Sequence, residues 1–230
     1  MEIKKGVEFK DNYHLLAAVY DPLASLFLGE KFQNSKWEFL DCIQPGDTVW
    51  IIGGGTGANL PEILKRCGER GKIIFMEASI KMLEKAKGRI HSDLTSKVEF
   101  VCSDDFKLSK KEKIDVVITQ FLLDVLADDS IDALFENVMQ NVSPTTSWLF
   151  LDFYPVKNKK WLIHFMIKTF SILADHPRKE LPDYDKFFES WDWEEIKTTS
   201  FENGFYRAKV YKLAPKPIKS DTISLKYSPL

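Results

Sequence analysis

The sequence predicts a doubly wound α/β domain, and three observations predict it. Apolar runs of strand length alternate with segments of helical periodicity, one run leads straight into a glycine-rich turn, and the end of the chain pairs two strand-like runs through Asn203-Gly204. The elements follow in order.

Residues 12–44 read as helical in pieces, around Tyr13 to Tyr20 and through Trp37, Phe39, Leu40 and Ile43, before Pro45-Gly46-Asp47 turns the chain. A helical cap of about 1–46 therefore precedes the sheet. Tyr20 in this cap either reaches back over a ligand site or simply packs.

Val49 to Ile52 is the first strand, and Gly53, Gly54, Gly55 and Gly57 follow at once. Leu60, Ile63, Leu64 and Cys67 then recur at helical spacing, with Pro61 suited to a first helical position and Gly68 to a stop. A turn that only reverses the chain needs one or two glycines. This one keeps side chains out of the space above a helix N-terminus, where bare N–H groups and the helix dipole favour a carboxylate or phosphate.

Gly71 opens the second strand, Lys72 to Met76, and Glu77 stands at its end, twenty residues after Gly57. At that distance a doubly wound fold places a carboxylate over the ribose hydroxyls of a cofactor, and a pair of acceptors suits a diol. Ser79 caps a helix whose buried stripe is Ile80, Leu83, Ala86 and Ile90. The third strand, Val98 to Cys102, ends at Ser103-Asp104-Asp105-Phe106. Asp104 or Asp105 accepts from an adenine amino group with Phe106 against the base, or the acids merely cap a loop. The fourth strand is Ile114 to Ile118, leading to Gln120; Ile131, Leu134, Phe135, Val138, Met139 and Val142 trace a helix that Ser143-Pro144 stops; the fifth strand is Trp148 to Phe153. Five strand-helix alternations imply parallel strands with ligands above their carboxyl ends, where Glu77, Asp104, Gln120 and Asp152 fall.

The segment Lys160 to Leu173 is apolar almost all round and is expected to bury two faces, one on the sheet and one against a second cap of Tyr184, Phe187, Phe188 and Trp191. Trp193 to Phe201 and Phe205 to Leu213 form a closing hairpin through Glu202-Asn203-Gly204. Residues 214–230 read as a loose tail. The chain is thus expected to be a single domain over 1–230, with the sheet core at about 47–213.

Composition narrows the function. With 32 basic against 34 acidic residues the net charge is −2, which gives no general attraction to nucleic acid. Cys42, Cys67 and Cys102 lie far apart among apolar residues without metal-ligand spacing, so packing thiols in a reducing compartment are expected, and no metal. No segment has the length of a membrane span or the pattern of a signal peptide, and a cytoplasmic protein is expected. No motif speaks to oligomeric state.

These residues resemble the class I S-adenosylmethionine-dependent methyltransferases, the group around the ubiquinone and menaquinone biosynthesis enzymes above all. The resemblance covers roughly residues 20–213. Gly53-Gly54-Gly55-Thr56-Gly57 is similar to the family's glycine motif, Glu77-Ala78-Ser79-Ile80-Lys81-Met82-Leu83-Glu84-Lys85-Ala86 to its acidic helix motif, and the hairpin suits its seven-stranded Rossmann-like sheet with an antiparallel last strand. The resemblance implies S-adenosyl-L-methionine as cofactor. It sets Gly53, Gly54, Gly55 and Gly57 against the methionine moiety, Glu77 with Ala78 at the ribose, Asp104 and Asp105 around the adenine, and Gln120 near methyl transfer. One departure stands out: Ile51 occupies the position where the family usually has an acid.

A sulfonium already carries an activated methyl group, so the protein has chiefly to align a nucleophile and exclude water. His164, alone on an apolar helix, reads as packed and not catalytic. The Asn-Pro-Pro-aromatic signature of amine methylation is absent after the fourth strand, which leaves a small or lipophilic acceptor and disfavours nucleic-acid bases. An NAD(P)-dependent oxidoreductase is the rival reading, since Gly53-x-Gly55-x-x-Ala58 also satisfies the dinucleotide fingerprint, but the chain has no Tyr-x-x-x-Lys pair. A cofactor-binding protein without turnover is the third.

Overall fold

The computed structural model describes residues 30–159, 161, 163 and 180–215. Tyr20, His164, most of the Lys160 to Leu173 segment, the first 29 residues of the cap and the tail beyond residue 215 lie outside the described residues. Seven strands form one sheet in the order β3-β2-β1-β4-β5-β7-β6. They are β1 (Thr48–Ile52), β2 (Lys72–Glu77), β3 (Val98–Cys102), β4 (Val116–Gln120), β5 (Ser147–Phe153), β6 (Trp193–Phe201) and β7 (Tyr206–Leu213). The first five are mutually parallel, and β7 lies antiparallel between β5 and β6.

Alternation of side chains across the sheet explains why the central strands β1, β2 and β4 are apolar almost throughout. Trp50, Ile52, Ile74, Met76 and Val117 face one core, and Val49, Ile51, Ile73, Phe75 and Ile118 face the other. Both faces are covered, so neither parity is free to be polar. Helices α1 (Leu60–Cys67) and α2 (Ile80–Lys87) cover the second face, burying Leu60, Ile63, Leu64 and Leu83. Helix α3 (Asp128–Met139) covers the first with Ile131, Leu134, Phe135 and Val138. Each such side chain contributes about 1.5–3 kcal/mol on burial.

The punctuation behaves as read. Pro61 sits in the first turn of α1, Gly68 ends it at φ 66°, and the Ser79 side chain accepts the Met82 N–H at the start of α2. Glu202, Asn203 and Gly204 take φ of 47°, 57° and 85°, so the hairpin reverses in left-handed backbone, where Asn and Gly are the least strained residues.

Three expectations need correcting. The fourth strand starts at Val116, two residues late, because Ile114 and Asp115 donate their N–H groups to Asn141 and Thr48 at the mouth of the sheet. No helix separates β3 from β4: residues 103–115 cross as a loop rich in lysine and lacking an apolar stripe. Helix α4 (Tyr184–Ser190) is seated on the sheet, with the Phe188 ring parallel to Tyr211 at 3.7 Å and edge-on to Trp148; its expected packing against the Lys160 to Leu173 segment lies outside the described residues. Of the cysteines only Cys67 is fully buried, and burial pushes its thiol up to about 12; Cys42 and Cys102 are half-buried free thiols.

Strand order reverses between β1 and β4, whose following connections leave in opposite directions. A crevice opens at their carboxyl ends.

Candidate functional site

That crevice holds a cavity of about 290 Å³. Its floor is the glycine turn after β1. Gly53, Gly55 and Gly57 all have left-handed backbone, at φ of 66°, 58° and 68°. The four glycines nonetheless serve different ends. A Cβ at Gly54 would lie 2.2 Å from the Phe75 ring, one at Gly57 2.8 Å from the Ala86 Cβ, and one at Gly53 2.7 Å from Leu122. Those three let neighbouring elements approach. Only at Gly55 would a Cβ meet nothing within 4 Å, pointing into open space. Gly57, expected against the ligand, does not line the cavity; its place is between the turn and α2.

Glu77 ends β2 beside this turn. Its Oε2 accepts the Gly55 N–H at 2.9 Å and its Oε1 accepts the Ser79 N–H at 2.9 Å. The carboxylate thus ties the glycine turn to the start of α2 and still faces the cavity, beside Ala78. A carboxylate has about four lone-pair sites, so two backbone bonds do not exhaust its accepting capacity.

At the end of β3, Asp104 lines the cavity. Asp105 does not: it is exposed, its Oδ1 accepts from the Ser103 hydroxyl and from the Lys107 N–H at 3.0 Å, and it caps its own loop. The capped-loop reading therefore describes Asp105, while Asp104 and Phe106 face inward. Phe106, at φ 56°, forms the apolar wall with Leu122, Val125 and Leu126.

At the end of β4, Gln120 lines the opposite side. Its Oε1 accepts from Asn59 Nδ2 at 2.9 Å, and its Nε2 donates to the Lys36 carbonyl at 2.9 Å. Asn59 Nδ2 lies 3.3 Å from the same carbonyl. Asn59 occupies the N-cap position of α1, yet its side chain makes no capping bond. Sequence reasoning missed Asn59 and Lys36. The polar residue two positions before Pro61 was a visible signal for the first; nothing marks Lys36, which meets Gln120 across 84 positions.

Asp152 is fully buried and lies behind the cavity wall, so its place at a strand end does not bring it to the ligand space. Its Oδ2 accepts the N–H groups of Leu123 and Asp124 at 3.0 and 3.3 Å, and its Oδ1 accepts that of Phe153 at 2.8 Å. It holds the loop that carries Leu122 and Val125. Burial, and then the neighbouring Asp124, push the Asp152 carboxyl well above the usual carboxylate range. Phe121, at φ 54°, donates its N–H to the Leu151 carbonyl at 2.7 Å and turns its ring onto Phe32 and Phe153, with centroids 4.5 and 4.7 Å away.

A seven-stranded sheet with one antiparallel strand, a glycine turn at its switch point and an acid at the end of β2 define a nucleotide-cofactor domain of methyltransferase type. Residues 49–145 match the family described as a methyltransferase domain. The matched stretch runs from β1 to just before β5 and includes the glycine turn, Glu77, Asp104 and Gln120. Among curated proteins the chain is similar to the ubiquinone/menaquinone biosynthesis C-methyltransferase of Vibrio vulnificus, 26% identical over 145 residues, covering 61% of this chain and 55% of that protein. The chain thus spans about half the length of the curated relatives it matches. Among solved structures, a methyltransferase from Aquifex aeolicus superposes with a TM-score of 0.56 at 17% identity, covering 89% of this chain and 98% of that one. Human N-acetylserotonin methyltransferase, solved with S-adenosylmethionine, gives 0.59 at 16% identity, covering 87% and 55%. Those two likenesses bear on the fold. Among the described residues no helix is long and apolar enough to cross a membrane.

Proposed function

We propose that the protein transfers the methyl group of S-adenosyl-L-methionine to a small or lipophilic acceptor. The observation that carries this reading is the Glu77 carboxylate, which is fixed by the Gly55 and Ser79 N–H groups and faces the cavity at the topological switch point. The residues present fit the cofactor. Gly55 leaves a cradle that a side chain would fill, Glu77 offers acceptors for a ribose diol, and Asp104 with Phe106 and Leu126 offers an acceptor beside an apolar slot for a base.

When bound, the cofactor supplies a methyl group on a sulfonium, already activated toward a nucleophile. The protein's part is then to bind, orient and exclude water. Glu77 is assigned the ribose and the glycine turn the methionine moiety. The apolar wall of Leu122, Val125 and Leu126 keeps the base dry, and Asp152 fixes that wall through the loop N–H groups. Gln120 stands at the far end, beside Asn59, where the reacting centre is assigned. The helical cap of about 1–46 is assigned the acceptor side, with Tyr20 in that role.

The reading is tested by thermal unfolding with S-adenosylmethionine, S-adenosylhomocysteine, NAD and NADP. A ligand at about a hundred times its dissociation constant stabilises by roughly 2.7 kcal/mol. For a domain of this size that is about 5–10 °C. The first two ligands are expected to shift the midpoint; a shift with NAD or NADP alone refutes the reading. Binding without methyl transfer to any acceptor of a quinol, phenol and thiol panel would favour a binding protein without turnover.

A further inference from the structure

Among Gly53, Gly54, Gly55 and Gly57, only Gly55 has a conformation that no packed neighbour enforces. Its φ is 58° and a Cβ built on it would meet nothing within 4 Å, so sterics leave this residue free to take either sign of φ. Polar contacts hold it instead.

Two such contacts bracket it, and they carry opposite charge. On one side the Gly55 N–H donates to Glu77 Oε2 at 2.9 Å. On the other, Arg89 Nε donates to the Thr56 carbonyl at 2.6 Å. Both are charge-assisted, the stronger kind of hydrogen bond. Between them the Gly57 N–H donates to the Gly54 carbonyl at 3.1 Å and closes the turn.

Arg89 arrives there by packing. It lies in the turn that leaves α2, where its N–H donates to the Ala86 carbonyl at 3.1 Å. Ala86 is fully buried and sits against Gly57, where an added Cβ would lie 2.8 Å from its own. The missing side chain at Gly57 thus lets the end of α2 come close enough for Arg89 to reach back 33 positions to Thr56. Glu77 joins the same turn to the start of α2 through the Ser79 N–H, so helix and turn are tied at both ends. Arg89 itself is exposed and does not line the cavity, whereas Gly55 and Thr56 both do.

We infer that Arg89 is a positioning residue for the cofactor site, setting the Gly55-Thr56 conformation that receives the methionine moiety without touching the ligand. The inference rests on the proposed cofactor. Without the guanidinium, water solvates the Thr56 carbonyl and the segment loses its charged anchor on that side. The turn then samples other conformations, and the ligand binds only the fraction that keeps the native one. The ribose, assigned to Glu77, is little affected.

The test pairs calorimetric titration of the parent protein and Arg89→Met, using S-adenosylhomocysteine and 5′-methylthioadenosine, with hydrogen exchange of residues 53–57 in both ligand-free proteins. Methionine keeps much of the stem without the donor. Arg89→Met is expected to weaken S-adenosylhomocysteine by about fivefold to thirtyfold and to quicken exchange at residues 53–57. Affinity for 5′-methylthioadenosine, which lacks the amino-acid end, should stay within about twofold. An unchanged affinity for S-adenosylhomocysteine overturns the inference. So does an equal loss for both ligands, which would mark general damage to the site, and so does a selective loss with unchanged exchange, which would make Arg89 a direct ligand contact. Failure of the parent to bind either ligand overturns the cofactor reading, and this inference with it.

Discussion

Gly55 and Glu77 are 22 residues apart, yet the N–H of one donates to the carboxylate of the other at 2.9 Å. The acid that faces the cavity is therefore also the acid that holds the glycine turn in shape. Glu77→Ala is expected to weaken S-adenosylhomocysteine by about 1.5–3 kcal/mol and to lower stability as well, because the Gly55 and Ser79 N–H groups lose their acceptor. Titration beside urea unfolding checks both. A variant that binds as tightly as the parent sinks the ribose assignment.

Gly55→Val and Gly57→Val separate ligand space from packing. At Gly55, φ is 58° and the space beyond is open, so the variant is expected to lose about 1–2 kcal/mol of stability to backbone strain and to lose cofactor binding outright. At Gly57 the new Cβ meets Ala86 at 2.8 Å, so the main loss should be of the fold. Circular dichroism melts paired with titration distinguish them. Equal effects of the two variants on stability would contradict the difference in surroundings.

Asp152 makes stability depend on pH in an unusual sense. Its folded carboxyl is raised by burial and by Asp124, so the folded protein holds a proton that the unfolded chain has released. Stability from this group is fully present below the unfolded value of about 3.9 and is lost as pH rises through the folded one. Asp152→Asn removes that dependence and keeps an oxygen for the Leu123 and Asp124 N–H groups. Urea unfolding at pH 5 and pH 8 should show the variant gaining on the parent as pH rises. A constant difference would mean that Asp152 is ionised in the fold.

Asn59 and Gln120 are expected to act as one unit. Asn59→Ala and Gln120→Ala each remove a contact to the Lys36 carbonyl and their bond to each other, costing about 1 kcal/mol apiece. The double variant should cost less than their sum. Hydrogen exchange of residues 36–40 should quicken in each. Additive losses with unchanged exchange would show that these side chains do not secure the segment.

Which parts were legible follows from range. Strand and helix periods, the Pro61 and Gly68 stops, the Ser79 cap and the Asn203-Gly204 reversal are all local consequences of backbone geometry, and each was readable from neighbouring residues. The chain by itself also set Glu77 at the end of β2, because a strand, a turn and a helix of ordinary length leave a carboxylate there. Local sequence does not register which surfaces meet. The packing roles of Gly54 and Gly57 depend on Phe75 and Ala86 arriving from other elements. Asp105 and Asp152 stand at strand ends like Asp104, and only the folded loops decide that one caps its own turn and the other is buried behind the wall. Lys36 reaches the cavity because Gln120, 84 residues on, and Asn59 both bind its carbonyl, and long-range hydrogen bonds of that kind leave no periodicity to read.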